Sequence, residues 1–162
     1  MRIGFGFDVH QLKPERPLIL GGVKVPFHLG LYGHSDADVV LHAVTDALLG
    51  ALALGDIGQH FPPGDDRYAG MDSREFVRQS LAMVKEREYR LANLDITILC
   101  ERPKLRPFID EMRLQISHLL EAQLDQISVK ATTMETMGFV GREEGIGAQA
   151  VVLLEKEKRM DT

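Results

Sequence analysis

Ile3-Gly4-Phe5-Gly6-Phe7-Asp8-Val9-His10 is the stretch on which the reading of this chain turns. Ile3, Phe5 and Phe7 alternate with small or polar residues, the period of a half-buried strand leading to Asp8. Asp8 and His10 stand two apart at the end of that strand, so their side chains leave the same face. The second segment, Gly33-His34-Ser35-Asp36-Ala37-Asp38-Val39-Val40-Leu41-His42, carries a third good metal ligand, His42, inside a helical pattern. Two ligands on a strand and one on a helix leave the fourth position of a tetrahedral zinc open, as catalytic rather than structural zinc is bound. The chain therefore reads as an enzyme.

Outward from these segments, Leu18-Ile19-Leu20 and Val23-Lys24-Val25 flank Gly21-Gly22, a two-residue hairpin signal. Ser35 with Asp38 reads as a capping box opening a helix to about Leu54. Gly55 to Gly70 reads as an ordered loop-like excursion, and Asp72 with Glu75 caps a second helix to about Glu88. A third helix starts at Pro107 and buries Ile109, Met112, Ile116 and Leu120. Leu94 to Leu99, Ile127 to Thr132 and Ala148 to Leu154 complete the strands. Strands and helices do not alternate strictly, so the expected class is α+β, a mixed sheet covered on one face by helices. With no fourth helix for the other face, oligomerisation through it is expected.

At 162 residues the chain is one domain's worth, with a charged tail expected from about residue 156. A net charge of −5 argues against non-specific nucleic-acid binding. The apolar runs fall short of a membrane span. Met1-Arg2-Ile3 leads directly into a strand pattern, so no signal or transit segment is expected. The single cysteine, Cys100, excludes an internal disulfide and suits a reducing cytoplasm.

Asp38, His42 and Asp46 recur every four residues along one helix face, and a solvated face is the usual reading of such spacing. Val39, Val40, Leu41, Ala43, Val44, Ala47 and Leu48 leave little room for one, so the stripe reads as lining a pocket, with Asp38 or Asp46 orienting His42 from behind. His60 and His118 are assigned no chemistry. Lys130-Ala131-Thr132-Thr133-Met134-Glu135, with Gly138-Phe139-Val140-Gly141-Arg142, combines hydroxyls, a carboxylate and glycines in a plausible nest for phosphate oxygens. Glu135 suits a hard cation such as Mg²⁺. An ordinary strand-to-loop transition fits that segment equally well, and a solvated cluster fits Arg102-Pro103-Lys104-Leu105-Arg106.

Asp8-Val9-His10, His34-Ser35-Asp36-x-Asp38, Ala47 through Gly58, and Val129-Lys130-Ala131-Thr132-Thr133 through Gly141-Arg142 together resemble the 2-C-methyl-D-erythritol 2,4-cyclodiphosphate synthase family over essentially the whole chain. The resemblance implies a homotrimer built around its sheets, with active sites at subunit interfaces. It implies zinc on Asp8, His10 and His42, and Mg²⁺ or Mn²⁺ on Glu135. His34 and Thr133 match positions that assist the reacting phosphates, and Ser35 a substrate contact. Asp56, Ile57 and Gly58 match a ribose and substrate loop, and Phe61, Pro62, Pro63, Gly64 and Asp65 a stretch near the methylerythritol. Cys100, Glu101, Arg102, Pro103, Lys104, Leu105, Arg106 and Thr132, with Met134 beside them, match a cytidine pocket contributed by the neighbouring subunit. Phe139 and Arg142 match substrate-side or central-cavity positions.

The reaction implied is closure of a cytidine diphosphate-linked methylerythritol phosphate to a cyclic diphosphate with release of CMP. Phe5, Pro63-Gly64, Cys100 and Met134 depart from the family pattern, and none removes a proposed metal ligand. Two other readings compete. A zinc hydrolase would use the same ligands, but the chain has no HExxH-type helix. A metal-stabilised trimer binding an isoprenoid diphosphate would use an apolar central cavity near Phe7 and Arg142.

Overall fold

The computed structural model describes residues 1–157, and the small side chains of its first strand decide how they pack. Strand β1 (Arg2–Lys13) is longer than its alternating core suggests, so Asp8 and His10 lie within it rather than at its end. It pairs antiparallel with β7 (Gly145–Lys156) and, at its far end, with β4 (Gly30–Tyr32), which has no signal in the sequence pattern. Strand β7 pairs antiparallel with β5 (Tyr89–Leu99), and β5 runs parallel to β6 (Ile127–Thr132). The resulting order, β4-β1-β7-β5-β6, is a mixed five-stranded sheet. A bulge between Leu91 and Asn93 shifts the alternation of β5, so Leu91 and Leu94 both face the core with Ile96 and Ile98.

Three helices of more than ten residues cover one face: α1 (Val39–Ala51), α3 (Arg74–Glu86) and α4 (Ile109–Leu119). Two single-turn helices, α2 (Ile57–His60) and α5 (Gly138–Gly141), sit in loops. The α+β class with helices on one face is as expected. The hairpin of β2 (Leu18–Leu20) and β3 (Val23–Val25) also forms as expected. Gly21 and Gly22 take positive φ values of 59° and 77°, as a tight hairpin turn of the primed kind requires.

Two expectations are corrected. Helix α1 begins at Val39, not at Ser35, because the Asp38 carboxylate accepts from Val40 N and Leu41 N and is itself the N-cap. The same carboxylate accepts from Gly21 N and Gly22 N at 2.9 and 2.7 Å, tying hairpin to helix. Burial pushes its pKa up to about 6, against the pull of those backbone N–H groups. The charged terminal stretch is not loose at its start: Glu155 and Lys156 pair with Arg90 and Tyr89, and Glu157 N donates to Glu88 O. Residues 158–162 of the expected tail lie outside the described residues.

The orientation of β1 is the reverse of what its apolar residues suggest. Gly4, Gly6, Asp8 and His10 face the helices, while Ile3, Phe5 and Phe7 are 73%, 58% and 47% exposed on the open face. A Cβ on Gly4 would stand 1.9 Å from Ala47 O, and one on Gly6 the same distance from Ala43 O. Only hydrogen at these positions lets α1 lie this close to the strand. We expect Gly6→Ala to lower unfolding free energy by about 3 kcal/mol, the upper end for overpacking because a backbone oxygen cannot swing aside. Urea denaturation of the purified variant measures this, and metal content should fall with it because His42 immediately precedes Ala43.

Candidate metal centre

Strand β1 presents Asp8 and His10 to the seam where α1 presents His42. His10 Nε2 and His42 Nδ1 each lie 3.0 Å from Asp8 Oδ2 and 3.0 Å from one another. Three donors thus form an equilateral triangle, the one cluster of metal-ligating groups among the described residues. Donors about 2.0–2.1 Å from a tetrahedral zinc stand about 3.3 Å apart, so the spacing and the N₂O donor set both fit that ion.

The tautomers fit as well. His10 Nδ1 lies 3.0 Å from Tyr32 O, which can only accept, so the proton sits on Nδ1 and the Nε2 lone pair faces the triangle. Behind His42, Ser73 Oγ donates to Asp36 Oδ1 and therefore accepts from His42 Nε2 at 2.9 Å. The Nδ1 lone pair of His42 then faces the triangle too. Burial alone would raise the Asp8 pKa, but hydrogen bonds and charge interactions with His10 and His42, made when protons occupy the inward ring nitrogens in place of a cation, pull it well below the carboxylate range. Burial depresses His10, and Asp8 more than compensates, raising it. An anionic oxygen and two lone pairs pointing at one spot make a centre that favours a cation.

Asp38 and Asp46, expected to orient His42, bond elsewhere: Asp38 caps α1, and Asp46 Oδ1 accepts from Ile57 N at 2.7 Å. The groups that do orient it are Ser73, which gave no sequence signal, and the Asp36 carboxylate behind it, which stood in a motif but without this role; they lie 31 and 6 residues from His42 with no period linking them. Ser35, expected to touch substrate, is buried, and its Oγ lies 3.1 Å from His42 Nε2.

The triangle opens into a cavity of about 210 Å³. His34, Ser35, Ile57, Gly58, Phe61 and Pro63 of the expected residues line it, together with Tyr68 and Phe76, which sequence reasoning missed. Phe61, Tyr68 and Phe76 stack into one aromatic wall, with ring centroids 4.8–6.0 Å apart. His34 Nε2 donates to Asp65 O at 3.1 Å, fastening the 61–65 loop over the cavity. Asp56 caps α2 by accepting from Gln59 N, and Asp65 is held by Arg67. Pro62 and Gly64 are exposed.

Cys100, Glu101, Pro103, Lys104, Leu105 and Arg106 line a second cavity of about 340 Å³ with Lys130, Thr132 and Thr133. Burial, with the charges of Glu101 and Glu143, pushes the Cys100 thiol up to about 12, so it packs there as a neutral group. Arg102 faces Glu143 at 4.0 Å. The two cavities share no lining residue among the described residues, and Thr133 lines the second rather than the first. Glu135 is exposed, its Oε1 accepting from Thr133 Oγ1 at 3.1 Å. Phe139 lines a third hollow beside Val9 and Gly145, while Arg142 pairs with Glu144 at 2.8 Å.

Fold and site define an α+β protein with an open group of three donors able to hold a metal at a strand–helix seam. Comparison with known proteins narrows this. The model of the YgbB family matches residues 1–155. A protein of Geobacillus kaustophilus named 2-C-methyl-D-erythritol 2,4-cyclodiphosphate synthase is 59% identical over 96% of this chain and 98% of its own. One of the same name from Idiomarina loihiensis is 56% identical, also over 96% and 98%. A solved IspF–CDP complex of Plasmodium falciparum superposes with a TM-score of 0.86 at 34% identity, covering 97% of each chain. The chain belongs to the YgbB family of 2-C-methyl-D-erythritol 2,4-cyclodiphosphate synthases.

Removing the hydroxyl behind His42 tests the orientation argument without touching a ligand. Ser73→Ala is expected to weaken zinc affinity about 10- to 100-fold with little change in folding, read by competition with a chromogenic chelator. Unchanged affinity would mean that Ser73 does not hold the His42 tautomer.

Proposed function

We propose that this chain converts 4-diphosphocytidyl-2-C-methyl-D-erythritol 2-phosphate to 2-C-methyl-D-erythritol 2,4-cyclodiphosphate, releasing CMP. It would act as a phosphorus–oxygen lyase of isoprenoid precursor synthesis. The observation that carries the reading is the Asp8–His10–His42 triangle opening into a small cavity with an aromatic wall, in a chain of this family. In the step, an oxygen of the 2-phosphate bonds to the β-phosphorus of the diphosphate. The bond from that phosphorus to the oxygen shared with the cytidylate breaks, and CMP leaves with the electron pair.

The attacking oxygen is already ionised, so a strong general base is unnecessary. The obstacle is aligning several anions of one molecule, and holding a ring-closing geometry is worth about 7–11 kcal/mol in favourable systems. Asp8, His10 and His42 would hold Zn²⁺, and Glu135 a second cation, Mg²⁺ or Mn²⁺. Bound there, the ions supply charge neutralisation and a template for the phosphates. His34, held at the cavity by its Nε2 bond to Asp65 O, and Thr133, through its hydroxyl, would assist the reacting phosphates. Ile57, Phe61 and Pro63 would pack against the methylerythritol, and the cavity carrying Lys104, Arg106 and Lys130 would take the cytidine nucleotide. Hydrolysis is less well supported, because among the described residues no carboxylate other than Asp8 lines the metal cavity.

Two observations support a homotrimer with sites completed across interfaces. Ile3, Phe5, Phe7, Val9 and Val151 leave the open sheet face apolar, and the metal and nucleotide cavities are separate within one chain. An isoprenoid diphosphate in the cavity enclosed by those faces, near Phe7 and Arg142, remains part of the proposal. We read the chain as one domain. No helix among the described residues is long and apolar enough to cross a membrane, and the lone buried Cys100 suits the cytoplasm.

Phosphorus NMR of purified protein with the substrate should show a cyclic diphosphate and stoichiometric CMP; linear phosphate products would overturn the cyclisation. Asp8→Ala and Thr133→Ala subunits, each inactive alone, should regain activity when mixed. Random assortment places an intact pair at about one interface in four. Verified mixed trimers without recovery would place both residues in one subunit's site.

A further inference from the structure

The parallel strands β5 and β6 end side by side, with Leu99 opposite Thr132, so the loops after them leave the sheet together. The first loop lines the nucleotide cavity; the second carries Thr133 and Glu135. One side chain joins them. Glu101 Oε2 accepts from Met134 N at 3.0 Å, and Glu101 Oε1 accepts from Thr136 N at 3.3 Å.

The segment it holds has an unusual backbone. Glu135 and Thr136, neither of them glycine, take positive φ values of 51° and 65°. Successive left-handed residues with side chains are unfavourable and persist only where their surroundings determine them. Within the turn, Met137 N donates to Met134 O at 2.9 Å, and Glu135 N lies 3.4 Å from Thr133 Oγ1. Both are bonds of the turn to itself. The Glu101 carboxylate is the anchor from outside it, and it reaches the amides on either side of Glu135.

The charge logic agrees. Lys104 and Arg106 make the cavity suited to an anion, Lys130 being already paired with Asp95, and a free carboxylate at its edge would oppose a nucleotide phosphate. With each oxygen engaged by a backbone N–H, Glu101 is better placed to shape the neighbouring loop than to contact a ligand.

We propose that Glu101 is a positioning residue: its carboxylate holds the left-handed Met134–Thr136 turn, and through it sets where the Thr133 hydroxyl and the Glu135 carboxylate meet the diphosphate. The nucleotide loop and the cation ligand thereby become one mechanical unit. This rests on the reading of Thr133 and Glu135 given above.

The test compares Glu101→Gln and Glu101→Ala with Glu135→Ala, using Mn²⁺ as probe in the presence of CDP. For Glu101→Ala, misplacement of the turn should lower kcat about 10- to 100-fold. KM should move less than about threefold, since uniform substrate binding is not what is lost. Mn²⁺ affinity should fall about tenfold, zinc content should not change, and amide exchange at Met134 and Thr136 should quicken. Glu101→Gln keeps one acceptor and should fall between wild type and Glu101→Ala; it carries the test should Glu101→Ala not fold. Wild-type kcat and Mn²⁺ affinity in both variants would overturn the proposal. So would a rise in KM and in the dissociation constant for CDP at constant kcat, which would make Glu101 a nucleotide contact. Should Glu135→Ala itself leave Mn²⁺ binding and turnover intact, the role of Glu135 falls and the proposal with it. Loss of both in Glu135→Ala alone overturns only the Glu101 clamp.

Discussion

Everything around the metal centre depends on how closely helix α1 lies against strand β1. Gly4 faces Ala47 and Ala51, and Gly6 faces Ala43 and Ala47, with carbonyl oxygens where side chains would be. Two residues of strand advance about 6.7 Å, and four residues of helix about 6 Å. Small residues spaced by two on the strand and by four on the helix therefore stay in step over the contact. The same step leads from Gly6 to Asp8, and His42 adjoins Ala43 on the helix. The donor triangle is a consequence of this packing, since a side chain at Gly6 would push His42 away from Asp8 and His10.

The acidic residues near the site divide into one candidate ligand and several scaffolding groups. Asp8 lies between two imidazoles, each of which has its outer nitrogen engaged by Tyr32 O or by the Ser73 hydroxyl. Asp36, Asp38 and Asp46 instead accept backbone N–H groups, fastening the start of α3, the β2–β3 turn and α2 to the frame around α1. In a buried setting an N–H without a partner costs about 1–3 kcal/mol. Such carboxylates are therefore structural even where their spacing looks chemical.

The sheet is two-sided in an uncommon way. Its helix-covered face uses glycine and alanine on β1 and β7, while phenylalanine and isoleucine from β1 stand on the open face. An open apolar face of this kind calls for cover.

Several features were legible from the residues alone. The Gly21-Gly22 hairpin was one, because a primed turn needs two residues tolerant of positive φ. The three long helices and most strands were others, since period and breakers are local properties. Asp8, His10 and His42 stood out as ligands because strand parity puts the first two on one face and His42 interrupts an apolar helix. Local pattern could not say which face of β1 is inside, for alternation of phenylalanine with glycine is symmetric until a helix packs against the glycines. Nor could it find Ser73, Asp36 and Tyr32 behind the ligands, or the reach of Glu101 across to Met134 and Thr136. Those partners are set by which loops the sheet order brings side by side. The sequence by itself determined the ligand types and the elements that carry them; the tertiary structure alone decided their convergence, because distance between residues far apart in the chain is a property of packing.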